Sequence, residues 1–408
     1  MITKLSQNKK LLTVLDQAVF SGKNFFITII VARLCSIEEF GKFSLVFMLL
    51  LFGLDTYRSF VVQAMMANYQ KFEAQKYLTG NLILSGFIFF GLGWLFFIFM
   101  MLFGKQFQLQ GDFAVIMTYF VTRMLADLGR SYFFTYSDPI KSLFCDVCCA
   151  VVIFGLFGYF FLNQTDQVLH YTQALQYLSV GYAIGFGLCL LIARPALSFN
   201  MEMIRTNLSF GLWLFFTGIL RWFNGNYIVF VASSGLGNVV AGAIRAIGNL
   251  FGPINVLLQA IENYVPVRAT NILEQDGAEA MFDYINAQIR LCFLLFLPIF
   301  LTLFFAAKKI LYVVFGFEYI EYSTLIHYIV IAYMLGLVCR YYNIALRTLN
   351  YTKPIFYGYV ITASISLSIA YFLVNEFGIL GYGIGIILFK IIIICFLYLS
   401  IRKYLKTL

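Results

Sequence analysis

Residues 78–103 read LTGNLILSGFIFFGLGWLFFIFMMLF, and no charged side chain stands between Lys76 and Lys105. A bilayer's hydrocarbon core is about 30 Å thick, and a helix rising 1.5 Å per residue crosses it in about 20 apolar residues. Lipid offers the backbone no hydrogen-bond partner, and a helix satisfies its N–H and C=O groups internally. The run therefore predicts a membrane-spanning helix. Working outward, apolar stretches of similar length fall at 11–34, 40–62, 113–136, 139–162, 171–193, 207–232, 236–260, 284–306, 322–346, 354–375 and 378–400. With 78–103 they make twelve spans, and the predicted fold class is an all-α polytopic membrane protein.

Composition agrees. The 408 residues are 62% hydrophobic and 12% charged, where a soluble domain carries about 25% charged residues. A soluble enzyme or nucleic-acid-binding domain is excluded. The net charge of +9 comes without a long basic run, so the basic excess reads as loops facing anionic lipid and not as a nucleic-acid surface. With the N-terminus inside, fourteen lysines and arginines from Lys4 to Lys406 fall in cytoplasmic segments, and the outer segments hold only Lys42, Lys105, Lys308 and Lys309, with Arg33 at an edge. The expected topology is a multi-pass inner-membrane protein with both termini cytoplasmic. Asp16 and Lys23 interrupt the first apolar run and no small-residue cleavage site follows, so no signal peptide is expected. The eight cysteines lie in or beside apolar segments and read as packing; Cys145, Cys148 and Cys149 lack a second pair for a metal.

Two connections stand out. Glu262 to Asp283 reads as a short amphipathic helix between the eighth and ninth spans, and Pro195 to Thr206 as an interfacial helix at the midpoint. The midpoint suggests two six-helix bundles, residues 1–200 and 201–408. A weak echo supports this division: VARLCSIEEFG at 31–41 and VASSGLGNVVAG at 231–242 each run from a Val-Ala pair through a turn into a new helix.

Inside the spans lie the basic residues Lys23, Arg58, Arg123, Arg130, Arg221, Arg245, Arg290, Arg340 and Lys390, and the acids Asp16, Asp55, Asp127 and Asp146. Each charge near the bilayer centre costs about 2.5–3.5 kcal/mol on the most lenient scale, so these groups face an interior or a water-filled cavity. Arg123, Asp127 and Arg130 share one helix face, as do Arg340, Asn343 and Arg347, and Arg245, Asn249, Gly252 and Gln259. Structural pairing is one reading, and Arg33, Arg130, Arg347 and Lys390, near span ends, read as snorkelling to headgroups. Pairing all four acids nevertheless leaves about five cations. That surplus points to an anionic substrate, and arginine's planar fork suits phosphate or pyrophosphate. Arg58, Arg123, Arg221, Arg245 and Arg340 are the expected substrate contacts, in a cavity drawn from both halves. Asp16 and Asp127 are the candidates for coupling to H+ or Na+. No phosphate-cradling glycine-lysine loop is present, so neither ATP hydrolysis nor a cofactor is expected.

Near the N-terminus, LDQAVFSGKNF at 15–25 and ARLCSIEEFGKFSL at 32–45 resemble the opening of the polysaccharide flippases of the O-antigen (Wzx) type, within the superfamily of multidrug extruders and lipid II flippases. The positions that match are Asp16-Gln17, Ser21-Gly22, Asn24-Phe25, Ala32-Arg33, Glu38-Glu39 and Phe40-Gly41; Cys35-Ser36 departs from the family's Leu-Gly. The resemblance implies two six-helix bundles in a V shape working by alternating access. It implies a flippase, not an enzyme, that carries an undecaprenyl-pyrophosphate-linked oligosaccharide to the periplasmic leaflet for lipopolysaccharide, beside a possible polymerase or chain-length regulator. Two competing readings are a polytopic glycosyltransferase or O-antigen polymerase, which would want a large outer loop with catalytic acids, and a cation antiporter of the same fold, which would want an excess of buried acids.

Overall fold

A computed structural model describes residues 2–136, 138–163, 168–196 and 200–406, without the side chains of 2–11, 13, 14, 256, 257, 259–264 and 267. Gln259 and Glu262 therefore lie outside the described side chains. The helices are α1 Ile2–Leu34, α2 Ile37–Tyr57, α3 Gln63–Asn68, α4 Ala74–Phe103, α5 Phe113–Thr135, α6 Pro139–Asn163, α7 Tyr171–Ala193, α8 Met201–Leu236, α9 Asn238–Leu250, α10 Gly252–Phe305, α11 Ala307–Val314, α12 Ser323–Thr348 and α13 Lys353–Leu405. Among the described residues eight helical stretches are long and apolar enough to cross a membrane. The 33-residue α1 and the 23-residue α5 are not among them; they carry Asp16 and Lys23, and Arg123, Asp127 and Arg130.

Two of the longest helices are hairpins. The 53-residue α13 breaks at Gly378, whose φ of +57° suits glycine. Beyond the break the chain turns back: a Cβ on Gly381 would strike the carbonyl of Leu373, and one on Gly358 would lie 3.2 Å from Phe396 and 3.6 Å from Ile393. The 54-residue α10 breaks likewise at Gly277, φ +88°, with the Arg268 guanidinium 5.7 Å from the Tyr284 ring across the bend. The hydropathy spans thus fall on helices, except that 236–260 is broken at Gly237 and Phe251 and divided among α8, α9 and α10. The fold is an all-α, polytopic membrane fold.

Two expectations change. Residues 262–283 do not form a separate amphipathic helix; helix continues through Pro266 from the eighth span and stops only at Gly277. Residues 201–206 join α8, because Asn200 Oδ1 accepts the backbone N–H groups of Glu202 (2.8 Å) and Met203 (3.4 Å) and starts that helix there. The Cys35-Ser36 step has a local reason as well. Ser36 is the N-cap of α2, its hydroxyl accepting from Glu39 N–H at 3.3 Å, and Glu38 and Glu39 lie in the first turn where negative charge is favoured. The echoed segments both lie at helix junctions, α1 to α2 and α8 to α9, the latter turning at Gly237 with φ +93°.

The chain packs as two units, Met1–Ile219 and Leu220–Leu408, with the boundary inside α8. In the first, α5 and α6 pack on α7 and on each other, and α6 also packs on α1. The α6–α7 contact is close at Gly181, where a Cβ would come within 2.9 Å of Ile153 Cδ1 and 3.2 Å of the Cys149 carbonyl. Overpacking of this kind costs about 1–3 kcal/mol. Gly181→Val is therefore expected to lower the melting temperature of the detergent-purified protein and its yield in membranes, and an unchanged melting temperature would contradict this contact. In the second unit α12 packs on α9, α10 and α13.

Candidate functional site

The described charges within the spans separate by unit. All four acids, Asp16, Asp55, Asp127 and Asp146, lie in the first unit with Lys23, Arg58, Arg123 and Arg130. Four meet four. The five remaining cations, Arg221, Arg245, Arg290, Arg340 and Lys390, all belong to the second.

In the first unit the helices α1, α5 and α6 bring two carboxylates and two cations into one network. Asp16, fully buried, accepts from Arg130 Nη2 at 2.6 Å and Nε at 3.1 Å and from the Ser142 hydroxyl at 3.0 Å. Arg130 Nε also donates to Asp146 at 3.0 Å, and Lys23 donates to the other Asp146 oxygen at 3.0 Å. Arg130 therefore does not snorkel. Its position near a predicted span end is overridden by two carboxylates within reach, and its guanidinium stacks 4.1 Å from the Phe20 ring. Cys149, in the cysteine cluster, receives Lys23 Nζ at 3.6 Å.

Beside this network Arg58 binds Asp127 through both nitrogens of its fork, Nε at 2.7 Å and Nη2 at 2.6 Å. Arg58 opens a single turn of π-helix, Arg58–Val62, that follows α2; such turns concentrate at functional positions. Asp127 is buried while the Arg58 side chain is 37% exposed, so the pair presents its cationic side outward. Arg123, one turn before Asp127, has no carboxylate within 4.0 Å among the described residues; its guanidinium lies between the rings of Tyr182 (4.8 Å) and Phe20 (5.2 Å).

The second unit holds a cavity of about 830 Å³. Arg221, Arg340, Arg347 and Lys390 line it with Asn343 and Tyr359, and among the described residues its lining contains no carboxylate. The stripe Arg340, Asn343 and Arg347 on α12 forms one wall, as the sequence spacing indicated. Arg340 Nη2 is 3.4 Å from Asn255 Oδ1, and Asn255 in turn donates to the Tyr333 hydroxyl at 3.2 Å. Arg347 and Lys390, read from the sequence as snorkelling, face this cavity instead. Proximity to a span end does not decide where a side chain points when the helix face turns it inward; for Arg347 the shared face with Arg340 was the available signal. Arg245, half-buried on α9, is not among the lining residues. Four cations lining one chamber can hold a group bearing several negative oxygens, each through charge-assisted hydrogen bonds.

The fold that carries these sites is similar to that of solved transporters described as members of the MOP superfamily. The chain superposes on an inward-facing multidrug resistance MATE family transporter of that superfamily with a TM-score of 0.74 and 13% identity, covering 96% of this chain and 95% of the other. It superposes on the lipid II flippase MurJ in its inward closed conformation with a TM-score of 0.73 and 13% identity over 96% and 87% of the two chains. A MOP superfamily transporter from Pyrococcus furiosus, described by a binding pocket of reverse polarity, gives 0.61 at 14% identity over 97% and 94%. By sequence, residues 175–324 match the profile of a family described as polysaccharide biosynthesis protein. No curated protein matches the chain. The resemblance read near the N-terminus agrees with this fold.

Proposed function

We propose that this chain is a flippase that moves an undecaprenyl-pyrophosphate-linked oligosaccharide, an O-antigen repeat unit or a similar one, from the cytoplasmic to the periplasmic leaflet of a bacterial inner membrane. The observation that carries this reading is the gathering of Arg221, Arg340, Arg347 and Lys390 around one chamber. A diphosphate brings several negative oxygens to these cations, and arginine forks match them. An organic cation would be repelled there. The polysaccharide biosynthesis match over residues 175–324 and the MurJ fold support the lipid-linked sugar class. Arg58, Arg123 and Arg245 are proposed as further contacts, and transport as alternating access of bundles 1–200 and 201–408. Coupling to H+ or Na+ is assigned to Asp16 or Asp127, both buried and each held by an arginine that a change in charge would release.

The test is direct. When the gene is depleted, lipid-linked repeat units are expected to accumulate and to stay hidden from a membrane-impermeant lectin applied to spheroplasts. Unpolymerised units readily labelled on the outer face would instead point to a lost polymerase.

A further inference from the structure

A second, smaller cavity of about 230 Å³ adjoins the cationic chamber and shares Ala332, Tyr333, Tyr359 and Lys390 with it. This annex is walled by isoleucines and rings, among them Ile329, Tyr382 and Phe389, and one side is formed by Asn224 on α8. Asn224 Nδ2 donates to the Leu220 carbonyl at 2.9 Å and to the Tyr359 carbonyl at 3.0 Å. Both partners are acceptors, which fixes the amide orientation. Its Oδ1 is buried and makes no hydrogen bond among the described residues. A buried acceptor left unpaired is costly, and a ligand donor that reaches it gains correspondingly.

We infer that the annex is a subsite for the sugar ring attached to the diphosphate, with Asn224 Oδ1 accepting an O–H or N–H from that ring. The inference rests on the diphosphate reading of the adjoining chamber. A ligand whose phosphates lie against Lys390 and Arg340 carries the group bonded to those phosphates next to the shared wall. The annex holds about the volume of seven or eight waters, enough for one ring and too little for a string of sugars. The waiting acceptor selects against the alternative neighbour on the diphosphate, a hydrocarbon chain, which has no donor to offer. Tyrosine and phenylalanine faces suit the C–H surface of a pyranose.

Two soluble probes separate these terms on the purified full chain: geranyl diphosphate, and the same compound bearing N-acetylglucosamine on the terminal phosphate. The sugar-bearing probe is expected to bind five- to tenfold more tightly to the wild type. Asn224→Leu is expected to remove that sugar-dependent gain and leave geranyl diphosphate binding unchanged. Gly248→Leu provides a second variant, because Gly248 lines the annex and a Cβ there meets nothing within 4 Å; a side chain at this position takes up annex space and should remove the same gain. Arg340→Gln should weaken both probes by the same factor. If Asn224→Leu and Gly248→Leu keep the sugar-dependent gain, or weaken both probes alike, the annex assignment is overturned while an Arg340→Gln effect leaves the chamber reading intact. If Arg340→Gln changes neither probe, the diphosphate reading itself fails and takes the annex with it.

Discussion

Glutamine at both Arg340 and Lys390 is expected to reduce surface polysaccharide more than tenfold while the amount of protein in the membrane stays normal. Both side chains line the chamber of the second unit, whose described lining contains no carboxylate. A hydrogen bond from a charged donor is worth about 1.5–3 kcal/mol, and about 1.4 kcal/mol is a factor of ten in binding. Two such losses exceed tenfold even if a neighbouring cation takes up part of the load. Arg340→Lys should retain part of the activity, since a point charge still attracts phosphate but cannot donate two parallel bonds. Arg340→Glu should be worse than glutamine, because it adds a negative charge where the substrate's charge must sit. Quantifying polysaccharide alongside an immunoblot of the membrane fraction checks all three. Normal polysaccharide in the double glutamine variant would remove the chamber from the transport path.

The second large effect concerns stability. Asp16→Ala is expected to lower the yield of folded protein more than tenfold. Asp16 is fully buried and accepts two bonds from Arg130 and one from Ser142. Without it, Asp146 is the one carboxylate left to both Lys23 and Arg130 among the described residues. Removing one partner of a buried pair costs about 3–5 kcal/mol, whereas replacing both by apolar groups is often neutral. Asp16→Ala combined with Arg130→Met should therefore recover much of the protein, measured by fluorescence-detected size exclusion. The same double variant tests the proposed coupling role: recovered protein should remain inactive in transport. Recovered protein that transports at the wild-type rate would make Asp16 a structural residue only.

Much of this was legible in the residues. Hydropathy placed the helices because membrane spans are decided by a one-dimensional quantity, apolar length against bilayer thickness. The surplus of basic side chains could be counted, and their division could have been as well, since Asp16, Asp55, Asp127 and Asp146 all precede residue 200. Partners were harder. Asp127 has arginines one turn away on its own helix at 123 and 130, yet its bidentate partner is Arg58, 69 residues away. Arg130 turns from Asp127 to Asp16 and Asp146. Those choices depend on how α1, α5, α6 and α7 pack side by side, a packing set at contacts such as that of Gly181 on α7 with α6 by single methyl-sized volumes that no periodicity reports.

The sequence alone determined that this is a polytopic helical membrane protein with more cations than anions in its spans, because lipid enforces helix formation and makes each intramembrane charge conspicuous. Only the tertiary structure decided which cations are neutralised within the first unit and which, Arg221, Arg340, Arg347 and Lys390, gather around an open chamber in the second. The reason is geometric: whether a charge meets a carboxylate or faces a cavity is fixed by distances of a few ångströms between helices far apart in the chain.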